Sequence, residues 1–192
     1  MNNLSHRFFI KNFRNLLVLI LLFVIHPLCS GREIKIIADH PEEVPFVQKT
    51  WEEFVTAAEK KDSSLLKPLL MDTVRCYLCL ENTEEELNEL DLLRENNKNW
   101  FNIVYRDKIK IPADRFIRED VPILFNREMI QRLKKRRIGF LEREIDGIIH
   151  FEIMVTTQED NEVIQGLEGV QHVFDFKKTD KGYRLTEIST IP

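Results

Sequence analysis

The sequence lacks the motifs that mark several large enzyme classes. It contains no Gly-rich phosphate loop, no serine nucleophile elbow and no HExxH zinc motif. It also lacks internal repeats, low-complexity segments and any linker rich in Gly, Pro or Ser. With 192 residues and 43% apolar composition, the chain is long enough to bury a core. These features predict one folded domain and leave its activity open.

Basic residues are in the minority. Lys and Arg number 28 against 32 Asp and Glu, which gives a formal net charge of −4. Three of the basic residues, Arg7, Lys11 and Arg14, lie in the first 31 residues, where there is no acid, so the remainder is more acidic still. A nucleic-acid-binding domain usually carries the opposite excess. The charge balance therefore argues against a nucleic-acid partner.

Long hydrophobic runs are missing as well. Leu16–Ile25 is an apolar run of ten residues, and as a helix it would span about 15 Å, half of a roughly 30 Å hydrocarbon core. Basic residues precede this run, and the small residues Ser30 and Gly31 follow it as a cleavage site, which is the pattern of a secretory signal peptide. We therefore predict a signal peptide over residues 1–31 and a single domain over 32–192, exported to the bacterial periplasm or secreted.

Cys29 leaves two alternatives for this leader. A bacterial lipobox would place a small residue directly before the lipidated cysteine, whereas this chain has Leu28 at that position. Lipidation of Cys29 and an uncleaved leader both remain alternatives. In either case the leader is the only contact with a membrane that we predict.

Cysteine is scarce, and only Cys76 and Cys79 follow the leader. On a regular strand, residues three apart have α-carbons about 10 Å apart, beyond the roughly 7 Å limit for a disulfide, so this pair needs a turn to bond. A thioredoxin-like site would place both at a helix N-terminus, but the next predicted helix start, Thr83, follows them. No second Cys or His pair has zinc-ligand spacing. We predict no metal and no cofactor. For the cysteine pair itself three alternatives stay open, in this order: a structural disulfide, two buried thiols, and a redox or metal site.

Glycine is rare and unevenly placed, since five of the six residues lie after residue 138. In that stretch apolar residues alternate with polar ones, as in strands whose two faces differ. Asp146-Gly147 and Thr179–Gly182 supply the turns of two hairpins. The sequence therefore predicts four antiparallel strands at the end of the chain. Their alternating residues include Ile149, Phe151, Ile153, Val155, Val170, His172, Phe174 and Phe176.

The chain before residue 138 is predicted to be mainly helical. Val47, Trp51, Phe54, Val55 and Ala58 recur at spacings of three and four, which is the apolar stripe of a helix of about four turns. Capping residues and proline breakers place the other elements. These are a short helix capped by Asp62 or Ser63, a strand at Val74–Leu80, a helix from the capping box at Thr83, a helix within residues 96–111, and a helix from Asp120 to Arg137.

Helices followed by closing antiparallel strands form an order that resembles the NTF2-like (cystatin-like cone) superfamily. The resemblance covers about residues 46–190 and rests on this order, on the Trp51 helix followed by Asp62 and Leu65-Leu66, and on the closing hairpin within residues 174–185. It implies an α+β fold in which N-terminal helices pack on a curved antiparallel sheet and leave a pocket at the wide end of a cone. The candidate pocket residues that it implies are Trp51, Phe54, Tyr77, His172, Phe174, Phe176 and Tyr183.

His172 is the one candidate for a catalytic residue, and it is a weak one. On a strand face shared with Phe174 and Phe176, a neutral imidazole would act as an acid or base, or would be a core histidine with one hydrogen-bond partner. Strand parity puts Asp175 on the opposite face and turns His150 outward. The sequence therefore assembles no acid–base pair around His172.

Two functions are expected from the resemblance and the leader. The first is non-catalytic binding of a small apolar ligand or of an envelope protein. The second is an isomerase, dehydratase or hydrolase that uses general acid–base chemistry around His172. A homodimer that forms through the sheet is a further expectation.

Overall fold

The computed structural model describes residues 34–158 and 170–191. It confirms the α+β class, because helices pack on a seven-stranded sheet with the strand order β1-β4-β5-β6-β7-β2-β3. The predicted signal peptide, with Cys29, lies outside the described residues. The strands are β1 Ile34–Ile37, β2 Leu70–Cys76, β3 Lys110–Pro112, β4 Ile138–Ile145, β5 Ile148–Gln158, β6 Val170–Thr179 and β7 Gly182–Ile191.

The helices of the described chain lie between β1 and β4. The α-helices are α1 Val44–Lys60, α2 Ser63–Leu66, α3 Glu84–Asn96, α4 Trp100–Ile103, α5 Ala113–Arg115, α6 Val121–Leu124 and α7 Arg127–Lys135. Shorter 3₁₀ turns lie at Pro41–Glu43, Lys67–Leu69 and Leu78–Leu80. Two stretches form π-helix, the first π segment Val104–Lys108 and the second π segment Phe116–Asp120.

The four closing strands are antiparallel, as predicted. The turns between β4 and β5 and between β6 and β7 use left-handed backbone at Asp146 (φ 52°), Gly147 (φ 73°) and Gly182 (φ 96°). At the two glycines this conformation causes no strain. The flanking strands differ from the prediction of an antiparallel sheet, since β1 pairs parallel with β4 and β2 pairs parallel with β7. Helices and other strands separate β1 from β4 and β2 from β7 along the chain, and parallel neighbours need such long connections because a tight hairpin joins only antiparallel strands.

Helix α1 packs its apolar stripe against the sheet, which confirms the prediction for this helix. Trp51 and Phe54 are buried, and the Trp51 ring lies 4.9 Å from that of Phe174 on β6. From Phe151 to Thr157, every second residue of β5 is buried on the same face. Burying an aromatic or branched side chain stabilises the fold by roughly 1.5–3 kcal/mol each, so this layer is the main hydrophobic core.

Two predicted helix starts are confirmed by their capping bonds. The Asp62 carboxylate accepts hydrogen bonds from the backbone N–H groups of Ser64 at 3.0 Å and Leu65 at 3.2 Å. The Thr83 hydroxyl accepts one from the backbone N–H of Glu86 at 3.2 Å. Such caps satisfy N–H groups that the first helical turn leaves without partners, which is why they can be predicted locally.

The strand predicted at Val74–Leu80 is wrong in its second half. Strand β2 ends at Cys76, and the chain then forms the 3₁₀ turn Leu78–Leu80. This turn brings the α-carbons of Cys76 and Cys79 to 5.3 Å, and the two residues form a disulfide. The apolar alternation continued past the point where the chain turns, so it did not mark the end of the strand.

The last two predicted helices are also interrupted. Residues 96–111 are helical only in part, because α4 passes into the first π segment and then into β3. The predicted helix from Asp120 to Arg137 is divided at Phe125, where the backbone leaves the helical region. Asn126 then caps α7 by accepting the backbone N–H of Met129 at 3.0 Å. A capping residue inside an apolar pattern therefore started a second helix.

Candidate functional site

Four of the predicted pocket residues are part of the filled core. Trp51, Phe54, Phe174 and Phe176 are buried, and their rings contact one another at centroid distances of 4.9–6.4 Å. The structure therefore places these rings inside the layer between α1 and the sheet, where they pack on each other. The pockets described below open at other positions.

Tyr183 forms a structural hydrogen bond at the edge of this core. Its phenol is buried and donates to Glu43 at 2.9 Å, while the Lys178 ammonium donates to the same carboxylate at 2.7 Å. Burial, together with Glu43, raises the pKa of Tyr183, so the phenol stays protonated. The hydrogen bonds to Lys178 and Tyr183 lower the pKa of Glu43. The three side chains link the β6–β7 hairpin to the start of α1.

Tyr77 belongs to a surface cluster rather than to an interior pocket. Its ring stacks on Tyr105 at 5.5 Å, Tyr105 stacks on Phe101 at 4.4 Å, and Phe101 meets Trp100 edge-on at 5.8 Å. Arg94 donates a hydrogen bond to the Tyr77 phenol and places its guanidinium 5.7 Å from the Trp100 ring. We call Tyr77, Trp100, Phe101 and Tyr105 the aromatic surface.

The aromatic surface is held by two local constraints. Tyr77 lies inside the loop closed by the Cys76–Cys79 disulfide, and Tyr105 lies in the first π segment. Phe101 keeps 56% of its surface exposed and Tyr105 keeps 37%. Isolated exposed apolar residues are ordinary, but a contiguous ring cluster with this exposure is typical of a contact surface.

His172 is one of the residues that line a separate pocket. It sits on β6 with its ring 6.4 Å from that of Phe174, at the edge of the core. Its Nδ1 is 2.7 Å from the hydroxyl of Thr157, a residue that is 98% buried. Thr157 is the extra residue of a β-bulge, since Thr156 pairs with Gln171 and Gln158 pairs with Val170. Thr157 nevertheless continues the inward alternation of Phe151, Ile153 and Val155, so its side chain lies on the same face of β5 as theirs.

The hydrogen bonds around Thr157 determine the tautomer of the histidine. The Thr157 hydroxyl donates its only proton to the backbone carbonyl of Val170 at 3.1 Å. Nδ1 of His172 must then carry a proton and donate it to the Thr157 oxygen. The other ring nitrogen, Nε2, is left as an acceptor, and within the described residues it makes no hydrogen bond.

Burial and a nearby cation keep this imidazole neutral. Burial, and to a smaller degree the Arg132 cation, lower the pKa of His172 to about 4. Arg132 donates to the backbone carbonyl of Thr157 and to the carboxylate of Glu128, the latter at 2.6 Å. The pocket has a volume of about 290 Å³. Its lining is Asn126, Glu128, Met129, Arg132, Thr157, Gln158, Val170 and His172.

Sequence reasoning placed His172 correctly on the inward face but missed its partners. The alternation of β5 continues to Thr157 and could have indicated that residue, whereas Arg132 reaches the ring from α7, and no pattern within one element reports that contact. The mixture of polar groups also differs from the apolar pocket that was expected. The structure thus brings together one neutral acceptor, one cation and one carboxylate, which can bind a small polar molecule or exchange protons with it.

The opposite face of the sheet carries a second polar group of residues. His150 Nδ1 lies 3.0 Å from both carboxylate oxygens of Asp175, and the Thr186 hydroxyl donates to one of them at 3.0 Å. Strand parity predicted that these residues turn away from His172, but it did not predict the pair, because register decides which outward residues meet. The Asp175 carboxylate therefore orients the His150 imidazole.

Carboxylates also meet in register across this face. Glu152, Asp175 and Glu187 are neighbours on β5, β6 and β7. Arg143 binds Glu152, and Arg75 binds Glu187 at 3.1 Å. Burial raises the pKa of Glu187, while Arg75 opposes that change. The middle of the face is therefore polar, and the homodimer through the sheet stays a prediction.

Comparison with known proteins adds no relative. No protein-family model matches the chain, and no curated protein matches it. Within residues 34–158 and 170–191, no group of three or more His, Cys, Asp and Glu side chains is placed to hold a metal ion. Across the same ranges, no helix combines the length and apolar character needed to cross a bilayer.

Proposed function

We propose that this chain is an exported, non-catalytic binding domain of NTF2-like cone architecture, with its ligand in the His172 pocket. The observation that carries the proposal is the fixed neutral imidazole. Thr157 holds Nδ1, and Nε2, which makes no hydrogen bond within the described residues, is the acceptor that a ligand would meet. Ligand pockets commonly combine such a fixed polar group with a few apolar contacts, and Met129 and Val170 supply these here.

The lining favours a small polar ligand over the apolar one expected from the sequence. Nε2 accepts a hydrogen bond, so the ligand offers a hydroxyl or N–H group to it. Glu128 balances the charge of Arg132 at 2.6 Å, so no net charge is required of the ligand. The volume of about 290 Å³ suits a molecule of modest size. A neutral hydroxylated or amide-bearing compound fits these conditions.

Native mass spectrometry of the form exported from its own cell tests the proposal. The mass reports removal of residues 1–31 and the disulfide, and the spectrum reports any bound molecule. His172→Phe keeps an aromatic ring beside Phe174 but removes the acceptor, so the bound molecule should be lost. The matched control is His150→Gln, on the opposite face, and it should retain the molecule. Retention by His172→Phe would refute the assignment of the pocket.

General acid–base catalysis in the same pocket is the alternative. Glu128 and Arg132 supply the second titratable group and the cation that such chemistry needs. A pKa of about 4 makes His172 a weak base at neutral pH, which favours binding over proton abstraction. The two functions separate when the molecule identified above is incubated with the protein. Conversion that depends on His172 would establish the enzyme, and unchanged recovery supports the binding domain.

A protein partner at the aromatic surface is a second candidate, favoured by the exposure of Phe101 and Tyr105. Aromatic residues of this kind often form the centre of protein interfaces. A photoreactive amino acid at position 101, expressed in the original cell, should give one discrete crosslinked protein. The same probe at the exposed Lys98, which is outside the cluster, serves as control. Crosslinking that is absent or equal at both positions would exclude this surface.

A further inference from the structure

We propose a second ligand site, for a small zwitterion of the amino-acid or dipeptide class, in the cleft between α3 and the first π segment. The cleft has a volume of about 400 Å³. It shares no lining residue with the His172 pocket and does not rest on the function proposed above. The lining is Leu80, Glu86, Glu89, Leu90, Asp107, Lys108, Lys110 and Arg115.

The cleft has an apolar base and two charged sides. Leu80 and Leu90 are buried and supply the base. The first side is one face of α3, on which Glu86 lies three residues before Glu89 and four before Leu90. The two carboxylates of this face stand beside the apolar base to which Leu90 belongs. Lys108 ends the first π segment and Lys110 begins β3, so the second side carries these two ammonium groups together with the carboxylate of Asp107. Carboxylates and ammonium groups therefore line the same cavity from different elements.

Most of these charges are unpaired. Arg115 donates to Glu86 at 3.0 Å and so neutralises one carboxylate. Within the described residues, Glu89, Asp107, Lys108 and Lys110 form no ion pair, although both signs are present in one cleft. Side chains of opposite sign that line a cavity without meeting leave room for a molecule that carries both charges.

The backbone around the cleft is unusual. The first π segment supplies Asp107 and Lys108, and the second π segment begins directly after Arg115. Well under 1% of residues in globular proteins are π-helical, and such turns occur frequently at functional sites. Two of them beside one cleft give a reason, separate from the charges, to regard it as a site.

The ligand class follows from the arrangement of the walls. An ammonium group binds Glu89, a carboxylate binds Lys108 and Lys110, and an aliphatic side chain covers Leu80 and Leu90. An ion of one sign would meet like charges as well as opposite ones, because the lining carries three acidic and three basic side chains. The volume lies within the 300–1,000 Å³ range of small-molecule sites.

Isothermal titration of the purified chain tests the site with three probes. Leucyl-leucine carries both charges, N-acetyl-leucyl-leucine carries only the carboxylate, and leucyl-leucine amide carries only the ammonium group. We expect leucyl-leucine to bind, and each single-charge analogue to bind at least about tenfold more weakly, because one charge-assisted hydrogen-bonding group is lost. No binding of leucyl-leucine, or equal binding of either analogue, would overturn the proposal.

Charge variants locate the binding. Lys108→Gln with Lys110→Gln should weaken leucyl-leucine at least about tenfold. The matched control changes two exposed lysines outside the cleft, Lys98→Gln with Lys135→Gln, so that net charge is equal. Glu89→Gln should also weaken binding about tenfold, whereas Glu85→Gln on the same helix should not.

All of these substitutions are at exposed positions, so thermal unfolding should be alike across the set. Unchanged affinity in the cleft variants, or equal losses in the controls, would exclude this cleft as the site.

Discussion

Replacing Asp120 with asparagine should stabilise the protein at neutral pH and change its stability little near pH 4. Asp120 ends the second π segment and is only 1% exposed. One carboxylate oxygen accepts from the Asn82 amide at 2.9 Å, and the other, Oδ2, is buried and has no hydrogen-bond partner within the described residues. Burial raises the pKa of Asp120 to about 6, although the Asn82 hydrogen bond and Arg115 oppose it.

The size of the effect follows from the two proton affinities. The ordinary pKa of aspartate is 3.8, and the folded value is about 6. Because the folded state holds this proton more tightly, its stabilising contribution is complete below pH 3.8 and is lost as the pH rises through 6. At about 1.4 kcal/mol for each tenfold change in proton affinity, the loss approaches roughly 3 kcal/mol near pH 7.5. Asparagine carries no charge and avoids this loss.

Urea unfolding at several pH values measures the difference. The free energy of unfolding of Asp120→Asn should exceed that of the native chain by less than about 1 kcal/mol near pH 4 and by about 2–3 kcal/mol near pH 7.5. At low pH the protonated acid and the amide are both neutral, so they are nearly equivalent. Asp72→Asn, an exposed position on β2, should show no such trend. An advantage for Asp120→Asn that is equal at both pH values would refute the reasoning.

Three further outcomes are expected. Replacing Cys76 and Cys79 together by serine should lower the free energy of unfolding by about 2 kcal/mol, since the disulfide closes a short loop. Urea unfolding measures this difference, and an unchanged free energy of unfolding would contradict it. Trp51→Ala should lower it by about 3–5 kcal/mol because the ring is central to the core, whereas Phe46→Ala, exposed on the same helix, should change it little. By NMR, His172 should titrate near pH 4. The stability that comes from burying the neutral imidazole should be lost as the pH falls from 6.5 toward 4. Titration of His172 near pH 6.5 would contradict the burial argument.

Elements with local causes could be predicted from the sequence. The apolar stripe of α1, the caps at Asp62 and Thr83, and the turn at Gly147 depend on residues within a few positions of one another. The α+β class and the antiparallel order of the last four strands follow from the same local patterns. The errors occurred where an apolar pattern ran past a turn, as at Cys76, or past a capping residue, as at Asn126.

The candidate sites depend on contacts between distant residues, so they could be predicted only in part. His172 was assigned to the inward face by strand parity, but its neutral state depends on burial and on Arg132 from α7, and its tautomer depends on Thr157 from β5. The aromatic surface combines Tyr77 with residues more than twenty positions away. No pattern within a single element reports such pairings.

By itself, the sequence determined helix α1, the starts of α2 and α3 and the four closing strands, because hydrophobic periodicity and capping are properties of neighbouring residues. The tertiary structure alone decided that the aromatic residues of α1 and β6 fill the core and that His172 lines a polar pocket. It also decided that a parallel strand borders each side of the antiparallel four and that unpaired charges line the cleft beside α3. These features depend on register, on crossover connections and on burial, all of which arise only when distant elements pack together.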